Sequence, residues 1–373
     1  MARLDGLRLR AGQLFCACGS DGMPLAFGAL PQHASTLRLA SAFGVAIFAQ
    51  VLIYSALPLA SLAIAPSDAA VALPFAALLL GSAVASFPAS LLMDLFGRRS
   101  AFALGASLGI AGGLLAAFAV SERQFLIFLL GALWLGMAQG FAVFYRHAAS
   151  LAGGSGAFVF GGGIVGAVLG PFAVTALSSA GGPFALAWLL AAAGIANLIP
   201  LWLATGLPGL DLSIEARATP DAPVSRAGFV AATAIAGLAW LGMNGLMAKT
   251  PLLMQGCGLG FGMTSAAMAT HLAAMYVPGF VIGRLVAHQG GFVVALEGLA
   301  LLLIGALGVM SQTTVQGFSL ALACAGFGWG TATIGAMAAI HTSGPISARW
   351  LAVHDTVLFL AALCGALAFG QPS

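Results

Sequence analysis

Apolar residues in this chain come in runs of about 20, separated by short polar breaks. Each run is long enough to cross a hydrocarbon layer of about 30 Å as a helix. Run lengths predict eleven such spans, at 39–64, 69–92, 100–120, 124–145, 155–179, 184–206, 228–254, 263–286, 290–310, 315–340 and 347–369. The longest polar break, 207–227, holds Pro208, Asp211, Glu215, Arg217, Pro220, Asp221, Pro223 and Arg226, and it separates six spans from five. The expected organisation is a tail at 1–36, a six-helix bundle at 37–206, a linker at 207–227 and a second bundle at 228–373.

Composition agrees with the pattern. Only 6% of the 373 residues are charged and 61% are hydrophobic, whereas a soluble domain carries roughly 25% charged residues. Too few charges are present to cover a water-facing surface, so the lipid bilayer is the expected solvent. The 51 glycines suit helices that pack closely inside it. A net charge of +3 gives no reason to expect a nucleic-acid partner. Residues 1–36 carry Arg3, Asp5, Arg8, Arg10 and Asp21 without a long apolar run, so nothing there reads as a signal peptide. With the N-terminus inside, Arg3, Arg8, Arg10, Arg38, Arg98, Arg99, Arg146, Arg217, Arg226, Arg284 and Arg349 all fall at or near the cytoplasmic side, and only Arg123 and Lys249 lie toward the outside. The five cysteines form no disulfide framework: Cys16 and Cys18 are in the tail, and Cys257, Cys324 and Cys364 are scattered.

The loop between spans two and three reads DLFGRRS. It resembles the loop signature of the major facilitator superfamily, with Asp94, Gly97, Arg98 and Arg99 at the matching positions. The resemblance implies an all-α fold of two helical bundles that rock about a midplane site, with the loop as a latch between transport states. Family members usually have twelve spans, one more than the count here.

Chemistry concentrates in spans seven and eight. Met243 and Met247 are spaced i,i+4 in MNGLM, and His271 and Met275 are spaced i,i+4 in HLAAM. On a helix each pair shares a face. Counted from the turn between the spans, Met247 and His271 lie ~11 Å deep and Met243 and Met275 ~17 Å deep. The expectation is two matched levels of donors, with Met247 facing His271 and Met243 facing Met275. Thioethers select soft ions, Cu(I) above all, and imidazole accepts copper too. A methionine pair alone is ordinary packing, but an ionisable residue at midmembrane depth marks a functional site.

The segment MNGLMAKTPLLMQGCG through HLAAMYVPGFVIGRLV is similar to the CcoA-type copper importers of the major facilitator superfamily, whose hallmark is Met-x-x-x-Met in span seven and His-x-x-x-Met in span eight. Met243, Met247, His271 and Met275 match it residue by residue. The resemblance implies copper as the transported substrate with no permanently bound cofactor. It also implies a bacterial inner-membrane location, copper supply to haem-copper oxidase assembly, and a cytoplasmic copper chaperone as a partner. Cys257 at the outer turn and Cys364 in span eleven are candidates for a metal relay, and Cys16 and Cys18 for a receiver in the tail.

Two intramembrane carboxylates, Asp355 beside His354 and Glu297 in span nine, are candidates for carrying a coupled proton. Arg146 and His147 end span four, where a snorkelling interfacial anchor is expected. Two other classes stay open. An organic-solute carrier, riboflavin being the relevant cargo, would line its cavity with aromatics such as Trp134, Tyr145, Trp240 and Tyr276. A non-transporting sensor or assembly factor would not need the site. No nucleophile–base or metal-hydrolase pattern suggests an enzyme.

Overall fold

A computed structural model describes residues 32–207, 225–259, 261–342 and 346–369. The tail with Cys16 and Cys18 and most of the linker lie outside the described residues. The described part is helical: α1 Gln32–Ile64, α2 Leu73–Ser121, α3 Phe125–Leu151, α4 Gly156–Gly161, α5 Gly163–Gly181, α6 Ala185–Ala196, α7 Leu198–Thr205, α8 Arg226–Gly256, α9 Phe261–Tyr276, α10 Pro278–Val281, α11 Gly283–Gln289, α12 Gly291–Met310, α13 Val315–Thr342 and α14 Ala348–Phe369.

Eight helical stretches are long and apolar enough to cross a membrane, nine if the bent pair Ala266–Val281 and Gly283–Gln289 is one span. Two of them, Asp68–Ser121 and Gly156–Thr205, run 54 and 50 residues, nearly twice what a bilayer needs. Packing shows that both fold back. On a straight helix Gly81 and Gly112 would be about 46 Å apart. Yet a Cβ on Gly81 would meet the Leu133 carbonyl and one on Gly112 the Leu135 amide, at one level of α3. The reversal is at Gly97, where φ 79 and ψ 169 are accessible only to glycine. Likewise Gly162 touches Ala40, while the Arg38 guanidinium donates to the Gly206 carbonyl, so both ends of the second stretch reach the start of α1. Its turn is at Gly182, φ 50. With these reversals both long stretches double back, which brings the described residues close to the eleven passes expected from run lengths.

Shorter breaks were not visible as polar interruptions. Asn197 separates α6 from α7, its Nδ2 donating to the Ala193 carbonyl at 2.8 Å. The α9–α10 break comes just before Pro278, whose ring cannot continue the helix.

The ends of the bundles differ in charge. Arg38, Phe102 and Tyr145 line one small hollow, which places the start of α1 beside the Gly97 turn and the end of α3. Phe229 stacks edge-on against Trp350, bringing the starts of α8 and α14 together. Arg38, Arg98, Arg99, Arg146 and Arg349 therefore gather toward one end, called here the basic end. Arg123 is at the other, donating to the Ala63 carbonyl at the far end of α1. The two bundles share one core through the basic half, whereas α1, α2, α3 and α6 enclose a second core with no residue of the other bundle. The molecule is thus closed at the basic end.

Within a bundle the helices touch backbone to backbone. A Cβ on Gly136 would lie 1.9 Å from the Leu78 carbonyl oxygen. Because backbone cannot yield as a side chain can, Gly136→Val should cost at least the upper end of the roughly 1–3 kcal/mol overpacking range. The check is thermal melting of detergent-purified protein: an unchanged midpoint for Gly136→Val would contradict this α2–α3 contact.

Candidate functional site

A cavity of about 60 Å³ lies between the bundles. Its lining comes from both halves. Gln50, Tyr54, Gln139 and Phe160 belong to the first bundle, and Trp240, Asn244, Tyr276, Trp329 and Phe359 to the second. Arg146 is the one charged side chain among the lining residues. The aromatics contact one another across the interface: Phe160 and Tyr276 rings are 5.2 Å apart, Phe160 and Trp329 5.7 Å, and Phe43 and Tyr276 6.1 Å. Of the aromatics named from sequence, Trp240 and Tyr276 are here, while Tyr145 packs edge-on against Phe102 within the first bundle. Trp329, Phe160, Phe43 and Phe359 went unnoticed, because an aromatic within an apolar run carries no mark of facing inward.

Met243, Met247 and Met275 all line this cavity. The fourth residue of the set is placed differently. The expected face-to-face arrangement of spans seven and eight does not occur: α9 packs chiefly on α13 and α5, and only slightly on α8. Glycines on α13 explain the choice. A Cβ on Gly326 would be 2.7 Å from the His271 carbonyl oxygen, and one on Gly330 2.2 Å from that of Met275, so α9 lies in a groove that only glycine leaves open. His271 is fully buried, with Nδ1 2.7 Å from the Leu322 carbonyl oxygen on α13. It therefore faces α13 and is not among the cavity-lining residues.

This contact fixes the imidazole's chemistry. A carbonyl oxygen only accepts, so Nδ1 must carry the hydrogen. In the neutral ring Nε2 then holds a bare lone pair, and it is buried without a hydrogen-bond partner. A metal-ligating histidine is commonly set up this way, one nitrogen tied to a carbonyl and the other left free.

Below the cavity lies a buried cluster that sequence reasoning only half saw. Asp355 Oδ1 accepts from Arg146 Nη2 at 2.7 Å and contacts His147 Nε2 at 3.2 Å. His147 Nδ1 is 3.3 Å from His341 Nε2, and His354 Nδ1 is 3.0 Å from the Thr233 hydroxyl. Arg146 and His147 are 1% and 0% exposed. They are not snorkelling anchors; both reach across the interface to the other bundle. Facing an ionised carboxylate, His147 Nε2 is the donor, and its Nδ1 in the neutral ring then accepts from His341 Nε2. The pairing is invisible in sequence because 209 residues separate Arg146 from Asp355. The available signal was an arginine, a histidine and an acid at the same depth from one membrane face.

The remaining candidates are dispersed. Glu297 is half-buried near Gln289, whose amide nitrogen, correctly oriented, donates to Oε1 at 3.0 Å and Oε2 at 3.2 Å; neither residue lines the cavity. Cys257 is exposed at the far end, its Sγ 3.8 Å from the Gln312 carbonyl oxygen. Cys364 is exposed and lies about 200° around α14 from the cavity-lining Ala362, so it points away from any path through the cavity. Asp94, Gly97, Arg98 and Arg99 surround the α2 reversal, with Gly97 buried and Arg99 exposed.

Residues 39–369 match the Major Facilitator Superfamily. The chain is 28% identical over 317 residues, 81% of its length and 80% of the relative's, to the riboflavin transporter RfnT of Brucella anthropi. Among solved structures it is similar in fold to the human organic anion transporter MFSD10 (TETRAN), with TM-score 0.66 and 15% identity over 91% of this chain and 92% of that one. It is also similar to the proton:xylose symporter XylE, with TM-score 0.67 and 14% identity over 91% and 88%.

The basic half closes through a glycine contact: a Cβ on Gly279 would lie 2.4 Å from Gly161 Cα in the opposite bundle. Gly279→Val should wedge the bundles apart there. The reporter is a cysteine at Met337, a residue 4% exposed and set against Gly156 of the first bundle. In a background whose native cysteines are serines, its labelling by a water-soluble maleimide should rise with Gly279→Val. Unchanged labelling would mean that this contact does not hold the end shut.

Proposed function

The chain belongs to the major facilitator superfamily, and from that premise we propose that it is a secondary transporter importing copper. One observation carries this reading: three thioether sulphurs, from Met243, Met247 and Met275, share one interbundle cavity. Neutral sulphur donors suit Cu(I) and hold it weakly enough for release. The size of the cavity supports the reading. Space of about 60 Å³ accommodates an ion with a few waters. His271, with its bare and buried Nε2, lies one helical turn from the cavity-lining Met275 on α9 and is the candidate fourth donor. The basic end faces the cytoplasm under the positive-inside rule, in the inner membrane of a bacterium. Copper then leaves toward a cytoplasmic chaperone and cuproenzyme assembly.

A second reading has its own support. The cavity wall is rich in aromatic rings and carries three amides, Gln50, Gln139 and Asn244. Rings that stack and amides that read a polar edge suit a planar solute such as riboflavin, the cargo named for the 28% identical relative. On this reading the cavity widens when loaded.

Uptake separates the two. In cells lacking their own copper importer, His271→Ala and Met247→Ala should each lower radioactive copper accumulation about 10–100-fold, the range for losing a partner of a metal site. Trp240→Ala should matter less. Full riboflavin rescue of an auxotroph, lost with Trp240→Ala and kept with His271→Ala, would replace copper by the flavin.

A further inference from the structure

The buried cluster holds imidazoles as well as an ion pair, and none of them lines the cavity. His147 Nε2 donates to Asp355 Oδ1 at 3.2 Å, which leaves the lone pair on Nδ1, and Nδ1 meets His341 Nε2 at 3.3 Å. A carboxylate behind one ring nitrogen, with a lone pair on the other, is how metal-binding histidines are oriented and made more basic. His147 is 0% exposed, while His341 is half-buried in the last turn of α13. The pair therefore runs from the interior to the mouth of the basic end. A third imidazole, His354, has its ring 6.2 Å from that of His147, and its Nε2 is buried with no partner.

We propose that His147 Nδ1 and His341 Nε2 form a second Cu(I) site, on the basic side of the cavity, where cargo pauses before release. This rests on the copper reading of the cavity. The donor set selects the ion. A structural zinc site takes four ligands, and among the described residues no three His, Cys, Asp or Glu side chains are placed to hold one ion together. Cu(I) accepts imidazole and is content with two collinear nitrogens. Metal–imidazole bonds of about 2 Å put such nitrogens about 4 Å apart. The present 3.3 Å gap has to open by roughly 0.7 Å, a small rotation of the half-buried His341 ring.

The ion takes the place of the shared hydrogen. His147 Nδ1 offers its lone pair directly. The hydrogen on His341 Nε2 passes through solvent water to Nδ1 of the same ring, so binding releases no net proton and changes no oxidation state. Arg146 and Asp355 cancel at 2.7 Å, so the entering ion meets no net charge from that pair. The two ligands belong to opposite bundles, His147 to α3 and His341 to α13. Opening the basic end parts them, and the ion is left with one nitrogen donor and access to an acceptor.

The test counts Cu(I) bound by the full chain in detergent. The protein carries serine at its native cysteines and no polyhistidine tag. Cu(I) alone, kept reduced by ascorbate, is titrated against a chromogenic chelator. Two ions per chain should bind. His341→Gln keeps an amide donor for His147 Nδ1 but offers copper no imidazole, so it should remove one ion. His341→Met restores a soft donor and should return it. An unchanged count in His341→Gln would overturn the site. A variant with the cavity set replaced (Met243→Leu, Met247→Leu, Met275→Leu and His271→Asn) should still bind one ion, with X-ray absorption showing short Cu–N bonds and no Cu–S bond. Sulphur ligation there, or no bound copper, would overturn the site equally, and this result does not depend on whether His341→Gln folds. A count that falls with His341→Gln but not in the cavity variant would keep this site and remove the cavity reading; the reverse pattern would keep the cavity and remove this site.

Discussion

A single carboxylate oxygen, Asp355 Oδ1, joins the two bundles where no bulk water can replace it. Removing one partner from a static buried pair costs about 3–5 kcal/mol, because the other charge is stranded. Between two moving bodies the arithmetic differs. Separation admits water, which solvates both charges, so the pair is strong while closed and cheap to give up once open. Apolar packing of similar area has no such dependence on whether water is present as a charge partner. The interface is thus held by a contact whose strength falls as it opens.

Contacts within each bundle have the opposite character. Gly81, Gly112 and Gly136 let α2 and α3 meet at backbone distance, and Gly298, Gly305 and Gly328 do the same for α12 and α13. Interlocked backbones cannot slide by small steps. Each bundle therefore moves as a body, and the deformable layer is the interface of aromatic rings, thioethers and buried charges. The interbundle cavity lies in that layer. Rigid bundles and a switchable seam are what a rocking carrier requires.

The multi-pass architecture was legible because apolar run length is set by membrane thickness, and the reversals at Gly97 and Gly182 sit at the breaks between runs. The methionine site was legible in part. Helical spacing put Met243 and Met247 on one face, and both do line the cavity with Met275. The partner of His271 was not legible, because short connection between spans seven and eight was read as packing. Packing instead followed the glycine groove at Gly326 and Gly330 on α13, which lies far along the chain. Arg146 misled for a related reason. A cationic residue near a span end looks alike whether it rises to the headgroups or crosses to another helix, and only the position of Asp355 decides.

The cluster also bears on what the cavity will accept. Its three thioethers are neutral, and its one charged wall residue is the cation Arg146. Left uncompensated at low dielectric, that guanidinium would repel Cu(I) strongly. Asp355 removes the conflict by neutralising Arg146 at 2.7 Å while the basic end is shut. With Arg146 so paired, the cavity wall carries no net charge. The seam pair and the thioether wall thus meet in one residue, Arg146, which belongs to both.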